Sequence, residues 1–340
     1  MSWTNRLSKI ARCLLGKKYA EKLIMIANIL CHDWHTDILF SSDFHYIFYN
    51  TSDEEVIAGF PKIDPESLAE ILRYVRYQRD FFITRENYGC FFFNYPRLYG
   101  KEDIMNWKNV QKKYWKILKE YKFTPSLLPA GPESLVCHHG LIFCSSSVKN
   151  YIKEGFFLDV GGCFGDSALI FLKHYNPSKV ISFEPSAPNR EIYKSVMQRN
   201  HINESQYELS AFALGKECTS IYYTEKQGGG NTIIQTENGK TKVEITTLDK
   251  FCSDRKISNI RLIKADVEGM GLDMLLGSEK TIRKNRPVLN LSIYHNRDEL
   301  LKIYKTLYEW QLDYQFMIRN LSLVTELTLI AWPKELDQLK

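Results

Sequence analysis

The 340-residue sequence lacks three patterns that would each indicate a particular class of protein. It has no run of about 18 apolar residues, so we predict no membrane-spanning helix. Its eight cysteines form no Cys-x-x-Cys pair, and no histidine stands at zinc-finger spacing. We therefore expect reduced thiols in a cytoplasmic protein and no structural zinc. The Gly-x-Gly-x-x-Gly spacing of dinucleotide sites is also absent, which argues against an NAD-linked oxidoreductase.

Positive charge is concentrated in the first 30 residues. Six lysines and arginines stand there against one glutamate, which accounts for the whole formal net charge of +5. Leu7, Ile10 and Leu14 recur between these cations at helical spacing. A basic amphipathic helix of this kind either packs on its own domain or lies on an anionic membrane surface. Peripheral contact with the inner face of the membrane is therefore the alternative to a freely cytoplasmic location.

Residues 1–130 carry no cofactor motif. Apolar residues recur at helical spacing over residues 66–82 and 101–123, which predicts two helices. We expect the aromatic residues of this part to form a core of its own. Three prolines and a glycine within residues 124–132 indicate a boundary. The chain is therefore divided into a mostly helical accessory domain, residues 1–130, for substrate recognition or a homodimer contact, and a second domain, residues 131–340.

The second domain is organised around the stretch of residues 156–167. Its first five residues, Phe-Phe-Leu-Asp-Val, form a short apolar run of the length that a buried parallel strand needs. Gly161, Gly162 and Gly165 follow in a tight turn, where the backbone leaves room for a ligand to approach. Asp166 then begins a helix with an acid in its first turn. A strand, a glycine turn and a helix in this order indicate a nucleotide-type cofactor site.

Two acids near this turn indicate which cofactor it binds. Asp159 stands two residues before the first glycine, where a carboxylate repels pyrophosphate but attracts an ammonium or a sulfonium group. S-adenosylmethionine carries both of these cationic groups, so we predict it as the cofactor. Glu184 ends the next predicted strand, where nucleotide folds place the acid that binds the ribose hydroxyls. Ser210 and Ala211 are predicted to lie near the adenine.

Strands and helices alternate between residues 156 and 310. The predicted strands after the first cover residues 179–183, 206–214, 260–265 and 288–295, and two closing strands cover 314–318 and 327–332. Residues 220–224 and 241–247 are predicted as antiparallel ribbons. This order predicts an α/β fold, a Rossmann-like sheet with a C-terminal antiparallel hairpin at its edge.

Five motifs occur in an order and spacing that resemble one family. They are Asp159-Val-Gly-Gly-x-x-Gly-Asp-Ser167, Phe183-Glu-Pro185, Ala213-Leu-Gly215, Thr247-Leu-Asp249 and Lys264-Ala-Asp-Val-Glu-Gly269. Over roughly residues 133–333 the chain resembles the FkbM family of S-adenosylmethionine-dependent methyltransferases. It departs from the family at Gly162, where alanine is frequent, and at Gly271, where an acid is frequent.

The resemblance implies a class I methyltransferase sheet and a small-molecule or glycan acceptor. The methyl group would go to a hydroxyl of a sugar, a glycolipid or a secondary metabolite, and no nucleic-acid partner is expected. By resemblance, the glycine turn holds the methionine end of the cofactor, and Asp266 and Glu268 face the reactive methyl group. The predicted cofactor-binding residues are Asp159, Gly161, Gly162, Gly165, Asp166, Glu184, Ser210, Ala211 and Asp266.

His295, at the end of the fifth predicted strand, is the candidate general base. A neutral imidazole with the usual pKa near 6.5 can take a proton from an acceptor hydroxyl. Glu268 is predicted as its partner or as an acceptor ligand, and Asp266 as a positioning group near the cofactor. The three predicted catalytic residues are thus His295, Glu268 and Asp266.

Two further interpretations stay open beside this one. A non-catalytic binding protein would keep the cofactor fold and use the N-terminal helices as its working surface. A metal-assisted enzyme would bind Mg²⁺ or Mn²⁺ through Asp266, Glu268 and His295, which offer oxygen and nitrogen ligands. The family pattern does not require a metal, so none is predicted.

Overall fold

The computed structural model of the protein describes residues 51–88, 101–123, 131–224, 234–235, 241–321 and 326–338. The predicted basic helix at the N-terminus lies outside these ranges. The α-helices are α1 (Asp53–Gly59), α2 (Pro65–Tyr88), α3 (Lys101–Glu120), α4 (Pro132–Leu135), α5 (Ser146–Ile152), α6 (Asp166–His174), α7 (Ala187–Arg199), α8 (Leu248–Asp254), α9 (Gly271–Leu276), α10 (Glu279–Asn285) and α11 (Arg297–Glu309). Shorter 3₁₀ helices lie at His138–Phe143, Glu204–Gln206 and Lys334–Gln338.

The strands belong to a large sheet and a small one. They are β1 (Phe156–Val160), β2 (Lys179–Phe183), β3 (Tyr207–Ser210), β4 (Ala213–Leu214), β5 (Thr219–Thr224), β6 (Ile234–Gln235), β7 (Thr241–Thr246), β8 (Ile260–Ala265), β9 (Val288–Ser292), β10 (Tyr314–Asn320) and β11 (Leu327–Pro333). Seven of them form the large sheet in the order β10-β11-β9-β8-β1-β2-β3. The small sheet has the order β4-β7-β5-β6.

The large sheet has the predicted architecture. β9, β8, β1, β2 and β3 run parallel, and β10 and β11 form an antiparallel hairpin at one edge. From β1 the chain builds the sheet outward to β2 and β3, and it then returns to β8 on the other side of β1. This reversal opens a crevice at the carboxyl ends of β1 and β8. The predicted α/β sheet with a C-terminal antiparallel hairpin is therefore confirmed.

The central strand β1 is apolar on both of its faces because helices cover the sheet on both sides. Phe157 packs on one face in a cluster with Phe171 of α6. Leu158 points to the opposite face, where it packs with residues of β2 and β8. Both side chains are fully buried. Burial on both faces explains why the strand is apolar except at Asp159.

Two predicted strands end earlier than the sequence suggested. The strand predicted over 206–214 is divided, because β3 pairs with β2 while β4 pairs with β7 in the small sheet. The strand predicted over 288–295 ends at Ser292, and Asn296 caps helix α11 four residues later. His295 therefore lies in the connection between β9 and α11, and not in the strand itself.

The described N-terminal helices pack directly on the large sheet. Val56 of α1 and Tyr74 of α2 belong to the same buried cluster as Leu158 of β1. Tyr114 of α3 lies in the cluster on the opposite face. The expected separate aromatic core is thus not found in the described part of these helices, and the division at residue 130 stays a prediction. No helix in the described ranges is long and apolar enough to cross a bilayer.

The turn after β1 is held against the turn after β8. Gly161 has a φ angle of +83°, and a Cβ atom there would lie 1.9 Å from the backbone oxygen of Asp266. Such an approach is possible for glycine alone, since any other residue would meet backbone atoms that cannot move aside. The glycine is therefore required by the packing of the two turns, and a ligand is not needed to explain it.

We expect Gly161→Ala to lower the free energy of unfolding by more than about 2 kcal/mol, because the left-handed conformation alone costs about 1–2 kcal/mol for other residues. Gly59→Ala is the matched control, since its new Cβ would meet first the flexible side chain of Leu301, at 3.2 Å. It should change the free energy by less than about 1 kcal/mol. Chemical denaturation measures both values, and equal losses would contradict this account of the turn.

Candidate active site

The predicted site residues meet above the carboxyl ends of the parallel strands. Asp159 lies in β1, Glu184 directly follows β2, and Asp266 directly follows β8. The Asp266 N–H donates to the carbonyl of Val160 at 3.0 Å, which joins the turn after β8 to the end of β1. The sheet thus places the cofactor motif and the predicted catalytic acids along one edge of the crevice.

A buried lysine lies at the base of this crevice. Lys264 of β8 is 3% exposed, and its Nζ lies 3.3 Å from Oδ1 of Asp159, whose side chain has no exposed surface. The same ammonium group donates to the Gly161 carbonyl at 3.0 Å. Oδ2 of Asp159 accepts from the hydroxyl of Ser182 at 3.1 Å. Asp159 therefore supports the glycine turn from beneath through Lys264, and it does not reach into the open crevice.

Acidic side chains outnumber basic ones around this lysine. Burial would lower the pKa of Lys264, but the charges of Asp159, Asp266 and Asp166 raise it. Burial raises the pKa of Asp166. Burial and the charges of Asp166 and Asp266 also raise the pKa of Glu133 to about 8. Since the surrounding carboxylates exceed the single buried ammonium, the crevice favours a cationic ligand.

Glu184 connects the glycine turn to the segment after β2. Its Oε2 accepts from the N–H of Cys163 at 2.9 Å, and its Oε1 accepts from the N–H of Ser186 at 2.8 Å. Burial raises the pKa of this carboxyl to about 7. The Glu184 N–H donates to the carbonyl of Ser210 at 3.0 Å, so the end of β3 lies beside it. Ala211 follows there with an exposed side chain.

His295 is enclosed by carboxylates, although it lies beyond the end of β9. Its side chain is 5% exposed. Nδ1 lies 2.9 Å from Oε2 of Glu299, and Nε2 lies 3.1 Å from Oδ1 of Asp266 in an ion pair. The exposed carboxylate of Glu268 lies 3.8 Å from the same Nε2. The connection after β9 therefore brings the three predicted catalytic residues together.

The charges around His295 bear on its expected protonation state. Burial alone would lower the pKa of the imidazole, but the hydrogen bonds and charges of Asp266 and Glu299 raise it well above its ordinary value. Burial opposes the ionisation of Asp266, yet His295 and Lys264 hold the pKa of that carboxyl below its ordinary value. Both directions favour an imidazolium paired with carboxylates, and the role of His295 as a neutral base stays a prediction.

Glu268 is the acid of this group that stands open to solvent. Its side chain is 56% exposed at the mouth of the crevice. Desolvation by the surrounding protein and the charges of Asp266 and Glu299 raise its pKa, while His295 opposes them. Within the described ranges, histidine, cysteine and acidic side chains form no group of three or more that is arranged to hold a metal ion. The described residues therefore do not support the metal-assisted interpretation with a set of ligands.

Sequence reasoning missed three residues of the site. Lys264 stood within a quoted motif, but its contact with Asp159 depends on the pairing of β1 with β8. Glu133 precedes the cofactor motif, and its nearness to Asp166 arises from the fold alone. Glu299 could have been found, since it stands one helical turn after His295 and completes an Asn-x-x-Glu pattern at a helix start.

Comparison with known proteins identifies the part of the chain that carries this site. Residues 159–323 match the family model described as the methyltransferase FkbM domain. A curated relative, Methyltransferase 1 of Beauveria bassiana (strain ARSEF 2860), is 22% identical, and the match covers 38% of this chain and 61% of that protein. The chain thus spans 61% of the length of this curated relative.

Two solved structures are similar to part of this chain at low sequence identity. The methyltransferase FkbM of Methylobacillus flagellatus KT has a TM-score of 0.42 and 15% identity, over 66% of this chain and 60% of that one. The O-methyltransferase of Bacillus cereus, solved in complex with SAH, has a TM-score of 0.40 and 14% identity, over 66% of this chain and 91% of that one.

The matched segment contains most of the site described above. It begins at Asp159, and it includes Glu184, Asp266, Glu268 and His295. The sequence resemblance rested on the same motifs, and the match to the family model confirms it. Residues 159–323 of this chain are therefore similar to the methyltransferase FkbM domain.

Proposed function

We propose that the protein is an O-methyltransferase that uses S-adenosylmethionine and acts on a hydroxyl of a sugar, a glycolipid or a secondary metabolite. The observation that carries this proposal is the carboxylate-rich crevice inside the FkbM domain, with Glu268 exposed at its mouth. The acceptor class rests on the family resemblance. An open carboxylate beside the crevice supports it, because a hydroxyl must lose its proton when it is methylated.

The cofactor fits the charge of the crevice. S-adenosylmethionine supplies an electrophilic methyl group on a sulfonium, beside an ammonium group. Asp166 and Glu133 would face the cationic end, since burial raises the pKa of both carboxyls and a bound cation would favour their ionised forms. The Glu184 carboxylate accepts two backbone N–H groups and a hydrogen bond from Asn189, which leaves one lone pair for a ribose hydroxyl. Ser210 and Ala211 would lie beside the adenine at the end of β3.

Glu268 is the residue that we assign as the general base. Its raised pKa makes it a stronger base than an ordinary glutamate, and the nearby imidazolium of His295 keeps it ionised until it accepts a proton. As the acceptor oxygen bonds to the methyl carbon, the bond from that carbon to the sulfonium sulfur would break and leave a neutral thioether, and the O–H proton would pass to the Glu268 carboxylate. Asp266 holds His295 in place at 3.1 Å. A base of this kind contributes about 10²–10⁴-fold to a rate.

The acceptor is proposed to bind where α1 meets the start of α11. A groove of about 410 Å³ lies there, lined by Gly269, Leu272 and Asn296 among others. Arg297 of α11 forms an ion pair with Glu55 of α1 at the same place. The N-terminal helices would thus shape the acceptor side of the crevice. We also propose a homodimer contact through these helices, a cytoplasmic location, and contact of the first 30 residues with a membrane.

The cofactor assignment predicts that Glu184→Gln weakens the binding of S-adenosylhomocysteine by about 1.5–3 kcal/mol, the value of hydrogen bonds to a charged group. Calorimetric titration measures the change. Glu191→Gln on the exposed side of α7 is the matched control, because this glutamate is paired with Lys194 at the surface. NAD should give no binding heat. An unchanged affinity in Glu184→Gln would remove the ribose role, and NAD binding without S-adenosylhomocysteine binding would overturn the function.

The assignment of the base predicts that Glu268→Gln lowers turnover at least about tenfold. Affinity for the methyl donor should stay nearly constant, since the donor is held by other residues. Transfer is measured with a donor radiolabelled on its methyl group and a panel of sugars, glycolipids and phenols. Glu279→Gln, at an exposed pair with Arg283, is the control. Unaltered turnover would exclude Glu268 as the base, and label on nitrogen or carbon would exclude O-methylation.

A further inference from the structure

Glu299 is a buried acid outside every motif of the cofactor site. Its side chain is 1% exposed, and both of its carboxylate oxygens are engaged. Oε2 lies 2.9 Å from Nδ1 of His295, and Oε1 accepts from the N–H of Gly271 at 2.7 Å. The carboxylate therefore bridges the start of α9 and the imidazole ring. An acid is rarely buried to this extent unless it is paired. The two partners of Glu299 therefore indicate what its carboxylate does.

The local sequence would ordinarily place this carboxylate elsewhere. Asn296 caps α11, and its Oδ1 accepts from the Glu299 N–H at 2.8 Å. In a capping box the glutamate would in turn reach back to the N–H of the capping residue. Here its oxygens go instead to His295 and Gly271. The Asn296 amide also donates to the carbonyl of Gly269 at 3.0 Å, so α11 is attached to the segment that carries Asp266 and Glu268.

Gly271 makes room for this arrangement. A Cβ atom at this position would lie 2.8 Å from Oε1 of Glu299. The residue has no left-handed conformation that would otherwise require glycine. The absence of a side chain at 271 thus follows from the position of the Glu299 carboxylate, and the two residues act as a pair.

We propose that Glu299 is a positioning residue that holds His295 as an imidazolium, with Nδ1 directed at Glu299 and Nε2 directed at Asp266 and Glu268. This proposal rests on the proposed function, because it explains why Glu268 and not His295 takes the proton. With Nδ1 bound to a carboxylate that has no proton to donate, the ring must carry its hydrogen on that nitrogen. In the imidazolium form the other ring hydrogen is on Nε2, which faces the crevice.

The groups that face His295 come from four segments. Asp266 and Glu268 follow β8, Glu299 lies on α11, and Glu326, whose pKa is raised by burial, precedes β11. Tyr294 lies beside the ring, with a centroid distance of 4.1 Å. Among these, Glu299 is the most deeply buried acid in contact with the ring, so its charge is the least screened by water.

Exchange of Glu299 for glutamine tests this role without a large change in shape. The glutamine oxygen can still accept from the Gly271 N–H, which leaves the amide N–H₂ facing Nδ1. An amide N–H₂ donates hydrogen bonds, and Nδ1 can accept one only when the imidazole is neutral. Glu299→Gln should therefore lower the midpoint of the His295 titration by at least about one pH unit, as expected on loss of an adjacent opposite charge.

The measurement is the NMR titration of the full-length protein labelled with ¹⁵N-histidine, assigned through His295→Gln. Asp298→Asn is the matched control, since this neighbouring acid is exposed and pairs with Lys302. It should leave the midpoint within about 0.2 pH units. Should Glu299→Gln fail to fold, Glu299→Met gives the same reading, because it removes the same charge with a side chain of similar size.

An unchanged His295 midpoint in the variant that folds overturns the proposal. A lowered midpoint supports it, provided that Asp298→Asn leaves the midpoint unchanged. The titration needs neither a methyl donor nor an acceptor, so a protein that transferred no methyl group would still give this result. Conversely, O-methylation with an unaltered midpoint would leave the proposed function intact and exclude Glu299 alone.

Discussion

The site depends on the pairing of one buried ammonium group with several buried carboxylates. Lys264 holds Asp159 in place and donates to the backbone of the glycine turn, so it connects β1 to β8 at the base of the crevice. Burying charges is costly unless they are paired, and this lysine pairs with Asp159 of β1, while Asp266 after β8 adds further negative charge. Because acids remain in excess above it, the same arrangement that stabilises the turn attracts a cationic ligand.

The excess of carboxylates also determines the chemistry of the catalytic group. His295 would be an ordinary imidazole in a neutral environment, but acids from two segments face its two nitrogens. In the proposed mechanism His295 carries a proton on each nitrogen and so is not the base. The proposed base is Glu268, whose side chain is 56% exposed. The division of roles between the two residues thus follows from burial and charge.

The sequence predicted the sheet better than it predicted the contacts of the site. The apolar run of β1 is a local pattern, and so is the position of the acids that follow β2 and β8. The structure places the strand and these acids where the sequence predicted them. The chain leaves the sheet after Ser210 and after Ser292 because of tertiary pairing, which local propensity does not contain. The partners of Lys264 and the protonation of His295 depend on residues that are far apart in sequence, so no spacing rule could give them.

Binding of the methyl donor in the crevice above β1 and β8 through this charge arrangement can be seen in a crystal structure of the complex with S-adenosylhomocysteine. We expect the ribose hydroxyls within hydrogen-bond distance of Glu184 and the amino group beside Asp166 and Glu133. The sulfur should face Asp266 and Glu268. A ligand bound elsewhere, or one whose amino group lies away from these acids, would show that the charges of the crevice do not bind the donor.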